Sequence, residues 1–361
     1  MTIGIILHPF GEDKPAGLGR YIFDLTVSLL ENDKKNEYII YLKNKPKVLP
    51  VFPGSNWRVE VVGFGGLWRE LGLFFAPRSD VYIFNTPVVP LFFKPRRSIV
   101  IVLDYAYRYS KTRNFKRALG DFLLFRMNKL ALKRASAIVA ISEFTKKETI
   151  RLFGIKKEKI KMIYPGFWNV GKESEREPIV PVPLRFFLFV GVIKERKNVC
   201  GIVQGFHKFK QSVNSGHKLI IAGWGSGKYY EKIINYIKNN NLNEDVFIYS
   251  QVTGKNLVPF YRKAEALVFP SFVEGFGFPI LEAMSCGLPV ITAKTSSTGE
   301  VAGDAAVLVD PGNSGEIAFA MEKIIKDPGF RSSLMEKGRR RAEKFSWEKT
   351  TRDFLDIINQ L

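Results

Sequence analysis

The stretch that decides the fold runs from residue 266 to residue 292 and reads ALVFPSFVEGFGFPILEAMSCGLPVIT. It begins with an apolar segment of strand length, passes through a loop with two glycines, and continues as a helical segment and a second apolar strand. Pro279 suits the first turn of the helix, because a residue there needs no backbone N–H donor. Gly287 suits the left-handed position just past the helix. The stretch therefore predicts parallel α/β structure.

The loop in this stretch predicts an anion site. Its amides at Gly275, Phe276 and Gly277 would face the same space as the helix N-terminus, at the carboxyl end of a parallel strand. Phosphate groups bind at such places, because backbone N–H groups and the helix dipole both favour negative charge. Glu274 lies on the loop and Glu282 lies near the first turn of the helix.

The same alternation of apolar strands and helical segments extends over most of the chain. Strands are predicted at 3–7, 38–42, 81–84, 99–103, 137–141, 186–190, 218–222, 246–249, 266–269 and 290–292. Helices are predicted at 21–30, 67–76, 118–133, 145–153, 202–209, 229–239, 257–263, 279–286 and 347–361. Strands this apolar are typical of parallel sheets buried on both faces. The charged, proline-rich segment at 171–183 interrupts the alternation, so we expect a linker between two α/β domains.

The composition is that of an ordinary globular protein, with 46% hydrophobic and 25% charged residues. The longest apolar runs fall far short of the ~20 residues that a membrane-spanning helix needs. The first residues show neither the basic start nor the cleavage site of a signal peptide. Two cysteines in separate regions, Cys200 and Cys286, fit a reducing compartment. We therefore expect a cytoplasmic protein.

The formal net charge of +20 indicates an anionic partner. Between Lys94 and Arg134 there are twelve Lys and Arg residues against two acidic ones, Asp104 and Asp121. No nucleic-acid-binding signature accompanies them, so an anionic membrane surface is favoured and nucleic acid is not expected. A solvated basic face without a partner is the alternative.

The segment at 118–134, ALGDFLLFRMNKLALKR, is the candidate for that membrane contact. As a helix it can place four leucine and phenylalanine side chains on one face and three basic side chains on another; these are Leu119, Phe122, Leu123 and Leu130, then Arg126, Lys129 and Lys133. A basic helix of this kind can lie on an anionic bilayer. The aromatic segment at 67–76 is a second candidate. The alternative for either segment is a core helix with a solvated outer face.

Two glutamates separated by seven residues, with EGFG at the front, resemble the signature of retaining glycosyltransferase family 4. Here they are Glu274 and Glu282, and the glycines and the proline agree in order. The resemblance implies the GT-B fold, in which two Rossmann-like domains face each other across a cleft. It implies an acceptor-side domain at 1–172, a nucleotide-sugar-binding domain at 173–345, and a last helix at 346–361 that crosses back to the first domain.

The resemblance also implies the activity, a metal-independent retaining transfer of a hexose from a nucleotide diphospho-sugar to a glycan or lipid-linked acceptor. Glu274 would hold a hydroxyl of the donor sugar, and Glu282 would bind the ribose. The segment FVGVIKERKN at 189–198 is similar to the family's strand, glycine loop and Arg-Lys pair. By that likeness Gly191, Arg196 and Lys197 lie at the donor's diphosphate, where two cations would neutralise charge without a metal.

The first half of the chain contains shorter motifs that also resemble this family. AGLGRY at 16–21 resembles the first-strand loop, in which Gly17 and Gly19 would approach the donor phosphates; a plain tight turn is the alternative. Arg20 would touch a phosphate or pair with an acid. In ISEFT at 141–145, Ser142 would face the cleft.

The first half also departs from the family pattern at one position. In VLDY at 102–105, Leu103 stands where many family members carry a histidine near the donor sugar. The resemblance implies that Asp104 contacts the sugar. The alternative is that Asp104 caps a loop.

Several other site types are excluded or disfavoured. The three histidines are scattered, no Asp-x-Asp triplet occurs, and GWGSGK at 223–228 lacks the phosphate-loop spacing, so we expect no metal and no cofactor. Two carboxylates eight residues apart on a loop and a helix suit an extended ligand better than one glycosidic bond, which disfavours a glycoside hydrolase. A GT-B epimerase or phosphorylase, or a non-catalytic nucleotide-sugar-binding or scaffold protein at the membrane, are the alternative functions.

GDP-mannose and UDP-hexoses both fit as donors. The resemblance of the N-terminal half to the family favours GDP-mannose. The expected location is cytoplasmic, and the candidate membrane contact would be a peripheral one on the inner face of the cell membrane.

Overall fold

The structure is a computed structural model that describes residues 1–8, 18–47, 49–90, 93–109, 115–213 and 215–361. The chain forms two compact units. The first unit comprises Met1–Gly166 together with Phe345–Leu361, and the second comprises Phe167–Lys344. Each unit contains a parallel sheet with helices between its strands, which confirms the predicted α/β fold class.

The first unit has, among the described residues, a seven-stranded sheet in the order β3-β2-β1-β4-β5-β6-β7. Its strands are β1 (Thr2–Ile6), β2 (Glu37–Leu42), β3 (Trp57–Val61), β4 (Val81–Phe84), β5 (Ser98–Val102), β6 (Ala137–Ala140) and β7 (Ile160–Met162). Its helices are α1 (Leu18–Asn32), α2 (Leu73–Phe75), α3 (Phe115–Arg134), α4 (Glu143–Phe153) and α12 (Trp347–Gln360). All the strand pairs are parallel, and every residue of β4, β5 and β6 is buried.

The last helix, α12, packs on α1 within this unit. The hydroxyls of Ser28 and Thr351 lie 2.7 Å apart, and the rings of Tyr21 and Trp347 have centroids 5.8 Å apart. Gly166 lies directly against Trp347, because a β-carbon on Gly166 would be 2.4 Å from the indole ring. The chain therefore returns to complete the first unit after it has formed the second.

The helix predicted at 67–76 is confirmed as a helical segment but not as one regular α-helix. The segment forms a 3-10 turn at Gly65–Leu67, a π-helical turn at Trp68–Gly72 and the short α2. Gly72 packs so closely on Val62 that a β-carbon there would be 2.9 Å from the Val62 carbonyl oxygen. A regular amphipathic helix does not form here, because glycine favours helix poorly and this close contact fixes the local path of the chain.

Over its described residues, the second unit contains a six-stranded parallel sheet in the order β10-β9-β8-β11-β12-β13. Its strands are β8 (Phe186–Val190), β9 (Lys218–Ala222), β10 (Val246–Tyr249), β11 (Ala266–Phe269), β12 (Val290–Ala293) and β13 (Val307–Val309). Its helices are α5 (Val199–Ser212), α6 (Gly227–Asn239), α7 (Val258–Lys263), α8 (Phe278–Ser285), α9 (Ser296–Ala302), α10 (Ser314–Lys326) and α11 (Pro328–Ala342).

The strand order of this second sheet reverses between β8 and β11. The chain runs outward from β8 to β9 and β10 on one side, and from β11 to β12 and β13 on the other. In open α/β sheets, ligands bind at the carboxyl ends of the strands where the order reverses. The loops after β8 and β11 are therefore the first place to look for a site.

Candidate active site

The loop after β8 is fixed by close backbone contacts. Gly191 has φ +136°, and a β-carbon on Gly223, just after β9, would lie 1.9 Å from the Gly191 carbonyl oxygen. The chain then forms a 3-10 turn at Glu195–Lys197 and enters α5 through Asn198. The Asn198 amide donates to the carbonyl oxygens of Pro270, at 3.2 Å, and Pro311, at 2.5 Å. The loop after β8 is thereby tied to the loops after β11 and β13.

The Arg-Lys pair in this loop contacts the first glutamate of the signature. Arg196 Nη1 donates to Glu274 Oε2 at 2.6 Å, and Lys197 Nζ donates to Glu274 Oε1 at 2.8 Å. Arg196 also donates to the Val273 carbonyl oxygen at 3.1 Å, and the Lys197 ammonium lies 4.6 Å from the ring centroid of Phe269. The structure therefore brings together, at the reversal point of the sheet, three side chains that the sequence places 77 and 78 residues apart.

The carboxyl group of Glu274 is buried and ionised. Burial by itself would raise its pKa, but the charges of Lys197 and Arg196, with their hydrogen bonds, hold the pKa below its usual value of 4.5. One carboxylate shared between two cations leaves the cluster with one net positive charge. A cluster of this kind attracts a further anion.

The glycine loop after Glu274 has the predicted local structure. Gly275, Phe276 and Gly277 are buried, and Gly277 precedes α8 with φ +101°, a conformation that favours glycine. Pro279 lies in the first turn of α8 and Gly287 has φ +75° just past its end. The strand, loop, helix and strand predicted from the sequence are confirmed.

The second glutamate of the signature contacts a tyrosine. Tyr261, in α7, donates its hydroxyl to Glu282 Oε2 at 2.5 Å. Burial, and then the charge of Glu282, raise the pKa of Tyr261 well above 10, so this hydroxyl remains a donor at every physiological pH. The half-buried carboxylate of Glu282 is thus held by a neighbouring helix.

The candidate residues of the first unit occupy local structural roles. Ser142 is completely buried and caps α4, accepting from the Thr145 N–H at 3.0 Å. Asp104 accepts from the Ala106 N–H at 2.9 Å, which caps the turn that follows β5. The carbonyl oxygen of Leu103 accepts from the Thr145 hydroxyl at 3.2 Å.

The glycine-rich candidates near the N-terminus are described only in part. Gly17 lies outside the described residues, while Gly19 is buried in the first turn of α1. Arg20 is exposed and pairs with Asp24 at 2.6 Å, one helical turn onward. Of the two roles considered for Arg20, the structure shows the pairing with an acid.

Sequence reasoning missed several polar contacts around these residues. Tyr261 gave no local signal, because it meets Glu282 only after folding. Three serines that contact Glu274 were also missed: Ser271, Ser296 and Ser297. Within the described ranges, no group of three or more His, Cys, Asp and Glu side chains could hold a metal ion.

Comparison with known proteins places both halves of the chain in the same enzyme group. Residues 172–341 match the family model described as glycosyl transferases group 1, and residues 17–167 match that of glycosyltransferase family 4. The chain is 29% identical over 239 residues to O-antigen chain mannosyltransferase B of Escherichia coli, covering 64% of this chain and 62% of that protein. It is 28% identical over 289 residues to the serotype-specific mannosyltransferase WbdA of Escherichia coli, covering 77% of this chain and 35% of that protein. The chain thus spans about a third to three fifths of the length of these relatives.

Solved structures show the same fold over the full chain. Sucrose-phosphate synthase from Thermosynechococcus elongatus aligns with a TM-score of 0.76 and 18% identity, over 99% of this chain and 98% of that one. HepE of Anabaena in complex with UDP-glucose aligns with a TM-score of 0.76 and 17% identity, over the whole of both chains. These similarities confirm the predicted GT-B fold class.

Proposed function

Because the chain belongs to the group 1 and family 4 glycosyltransferases, we propose that it transfers a hexose from a nucleotide diphospho-sugar to a hydroxyl group of a glycan or lipid-linked acceptor. The observation that carries this proposal is the cluster of Arg196, Lys197 and Glu274 at the reversal point of the second sheet. The cluster combines cations for a leaving diphosphate with a carboxylate for a sugar that becomes cationic.

The two cations would bind the diphosphate of the donor. A guanidinium group can form two parallel hydrogen bonds with phosphate oxygens, and the ammonium group adds a compact charge. The amides of Gly275, Phe276 and Gly277, with the N-terminus of α8, would add N–H donors. In this proposal these groups do what a divalent ion does in other sugar-nucleotide sites, so transfer needs no metal.

The reaction proceeds with retention in this proposal. The bond between the sugar C1 and the diphosphate oxygen breaks, and the acceptor oxygen forms its bond to C1 on the same face. The acceptor proton passes to an oxygen of the departing diphosphate. Glu274 would hold a sugar hydroxyl and stabilise positive charge on the ring, while Arg196 and Lys197 stabilise the negative charge on the leaving group.

Transfer of a radiolabelled hexose tests this function. The wild-type protein should move label from a nucleotide diphospho-sugar to a lipid or glycan extract in the presence of EDTA. Nucleotide binding without transfer or hydrolysis of any donor would instead identify a non-catalytic binding protein. Interconversion of the donor sugar without transfer would identify an epimerase.

GDP-mannose is the donor we favour, with UDP-hexoses as the alternative. Two relatives at 28–29% identity are mannosyltransferases, which supports mannose, whereas the HepE structure contains UDP-glucose. A nucleotide present at 100 times its Kd stabilises a protein by ~2.7 kcal/mol. Thermal unfolding in the presence of GDP, UDP or ADP therefore shows which nucleotide base the protein binds. We expect the largest increase in Tm with GDP.

The Tyr261 hydroxyl makes a testable contribution to donor binding. In Tyr261→Phe the Glu282 carboxylate loses the donor that orients it toward the ribose, so nucleotide affinity should fall about fivefold to tenfold. At saturating donor, kcat should change little. Calorimetric titration with the nucleotide measures the affinity. Tyr38→Phe is the matched control, since Tyr38 also donates to a carboxylate, that of Asp33. An unchanged dissociation constant in Tyr261→Phe would argue against a ribose contact for Glu282.

We also propose that α3 binds an anionic membrane surface. Leu119, Phe122 and Leu123 are 51%, 58% and 53% exposed, although apolar side chains on a globular helix usually face the core. Arg126 and Lys133, further along α3, are exposed as well. Apolar side chains beside basic ones suit the boundary between lipid headgroups and acyl chains. Within the described residues, no helix is both long enough and apolar enough to cross a membrane.

Vesicle binding tests this surface. The double variant Phe122→Ser/Leu123→Ser should bind phosphatidylglycerol vesicles at least about tenfold more weakly, because the two side chains lose apolar area that enters the bilayer. Its Tm should not fall, since both side chains are exposed. Phe319→Ser is the control, because Phe319 is 67% exposed on α10. Equal binding to neutral vesicles, or binding that is insensitive to salt, would refute the membrane contact.

A further inference from the structure

Among the described residues, three serine side chains surround Glu274. Ser271 donates to Glu274 Oε1 at 3.1 Å, and Ser297 donates to the Glu274 carbonyl oxygen at 2.8 Å. The hydroxyl of Ser296 accepts from the Glu274 N–H at 3.3 Å. Together they contact the carboxylate, the amide and the carbonyl of one residue. We call Ser271, Ser296 and Ser297 the serine collar.

The collar connects two segments of the chain. Ser271 follows β11, whereas Ser296 and Ser297 begin α9 after β12. Ser271 and Ser297 are completely buried, and a buried hydroxyl needs a hydrogen-bond partner. Both hydroxyls find that partner on Glu274, so the collar fixes the loop that carries the carboxylate to a neighbouring helix.

The backbone at Ser296 points to a use for its hydroxyl. Its φ is +56°, in the left-handed region that glycine adopts freely and that other residues adopt rarely. A serine there keeps backbone strain that glycine would relieve. Strain of this kind is a reason to ask what the side chain does, and here the hydroxyl meets the amide of the candidate catalytic glutamate.

We propose that the serine collar positions Glu274 while Arg196 and Lys197 engage the diphosphate of the donor. This inference rests on the proposed function. Both cations contact Glu274, so a diphosphate that binds them shares or takes over the hydrogen bonds that hold the carboxylate. The neutral hydroxyls of the collar are held within the same unit and retain Glu274 in place for the sugar.

Ser271→Ala tests the contact with the carboxylate. We expect kcat to fall about tenfold, because a hydrogen bond to a charged group is lost. The acid limb of the pH–kcat profile should also move to higher pH, since the ionised carboxylate loses a donor. In the part of the chain that the structure describes, the charged groups in contact with Glu274 are Arg196 and Lys197, and both remain in this variant. If Ser271 had a purely structural role, kcat would fall by the same factor at every pH and the acid limb would not move.

Ser296→Gly separates positioning from folding. It relieves the left-handed backbone, so Tm should hold or rise, yet kcat should fall severalfold because the Glu274 amide loses its acceptor. Asn241→Gly is the matched control, since Asn241 has φ +54° in the turn after α6 and is remote in sequence from the cluster. It should match Ser296→Gly in Tm and the wild type in kcat. Thr298→Val removes a neighbouring buried hydroxyl that bonds to the main chain of Ala293 and Thr295, and should also keep wild-type kcat.

The collar is overturned if Ser271→Ala and Ser296→Gly keep both the kcat and the acid limb of the wild type. A second readout does not depend on turnover. The ¹³C signal of the Glu274 carboxyl, assigned by its loss in Glu274→Gln, should titrate at higher pH in Ser271→Ala than in the wild type. A wild type without transfer would refute the proposed function alone, whereas unchanged titration would refute the collar.

Discussion

Replacement of Glu274 by glutamine should lower the rate of sugar transfer about 10²–10³-fold and leave nucleotide binding intact. Glutamine keeps the shape of the side chain but cannot offer negative charge to the cationic sugar ring, and removal of one preorganised group in an active site has an effect of this size. Binding should persist or tighten, because Arg196 and Lys197 no longer share their charge with a carboxylate. Labelled transfer measures the rate, and calorimetry measures the affinity.

A second buried, ion-paired glutamate provides the control for this variant. Glu148 lies in α4 of the first unit and bonds to Arg151 at 2.7 Å. Glu148→Gln should keep the wild-type rate of transfer. If Glu274→Gln transfers sugar as fast as the wild type, or loses nucleotide binding together with transfer, the role assigned to Glu274 is wrong.

Replacement of Lys197 by methionine should weaken both the fold and donor binding. The variant leaves the buried Glu274 carboxylate with one cation instead of two, and loss of one partner from a buried ion pair destabilises a protein by about 3 kcal/mol. Nucleotide affinity should fall by at least about tenfold, since the diphosphate loses a charged donor. Chemical denaturation measures the stability, and nucleotide titration measures the affinity.

The double variant Lys197→Met/Glu274→Gln separates the effect on stability from the effect on sugar transfer. It removes charge from both partners, so most of the lost stability should return while transfer stays at least as slow as in Glu274→Gln. The pH dependence has a defined sign, because the pKa of Glu274 is held below 4.5 in the folded protein. Its contribution to stability is present at neutral pH and is lost as the pH falls below about 4.5 toward the folded pKa. In Lys197→Met the pKa of the folded carboxyl should rise toward that of the unfolded chain, so the loss of stability on acidification should become smaller. A double variant no more stable than Lys197→Met would contradict the pairing.

The strongly apolar strands could be predicted from sequence because burial on both faces leaves a continuous hydrophobic signal. The observed bounds of β8, β9, β10 and β11 coincide with the predicted ranges. The strands β3, β7 and β13 were not predicted from the sequence. These strands are short and contain residues that are only partly buried, so they lack that signal.

The candidate site shows a different limit of sequence reasoning. The two-glutamate signature identified Glu274 and Glu282. The segment at 189–198, which follows β8, identified Arg196 and Lys197. Their direct contact depends on β8 and β11 being neighbours in the sheet, which is a property of strand order rather than of local sequence. The collar depends in the same way on the packing of α9 beside the loop after β11.

A crystal structure of the protein grown with a nucleoside diphosphate and EDTA tests most directly whether two cations and a glycine loop replace a metal here. We expect phosphate oxygens within about 3 Å of both the Lys197 ammonium and the Arg196 guanidinium, with Glu274 beside them. A diphosphate bound away from both cations, or one that binds only when a divalent ion is supplied, would contradict the proposed site.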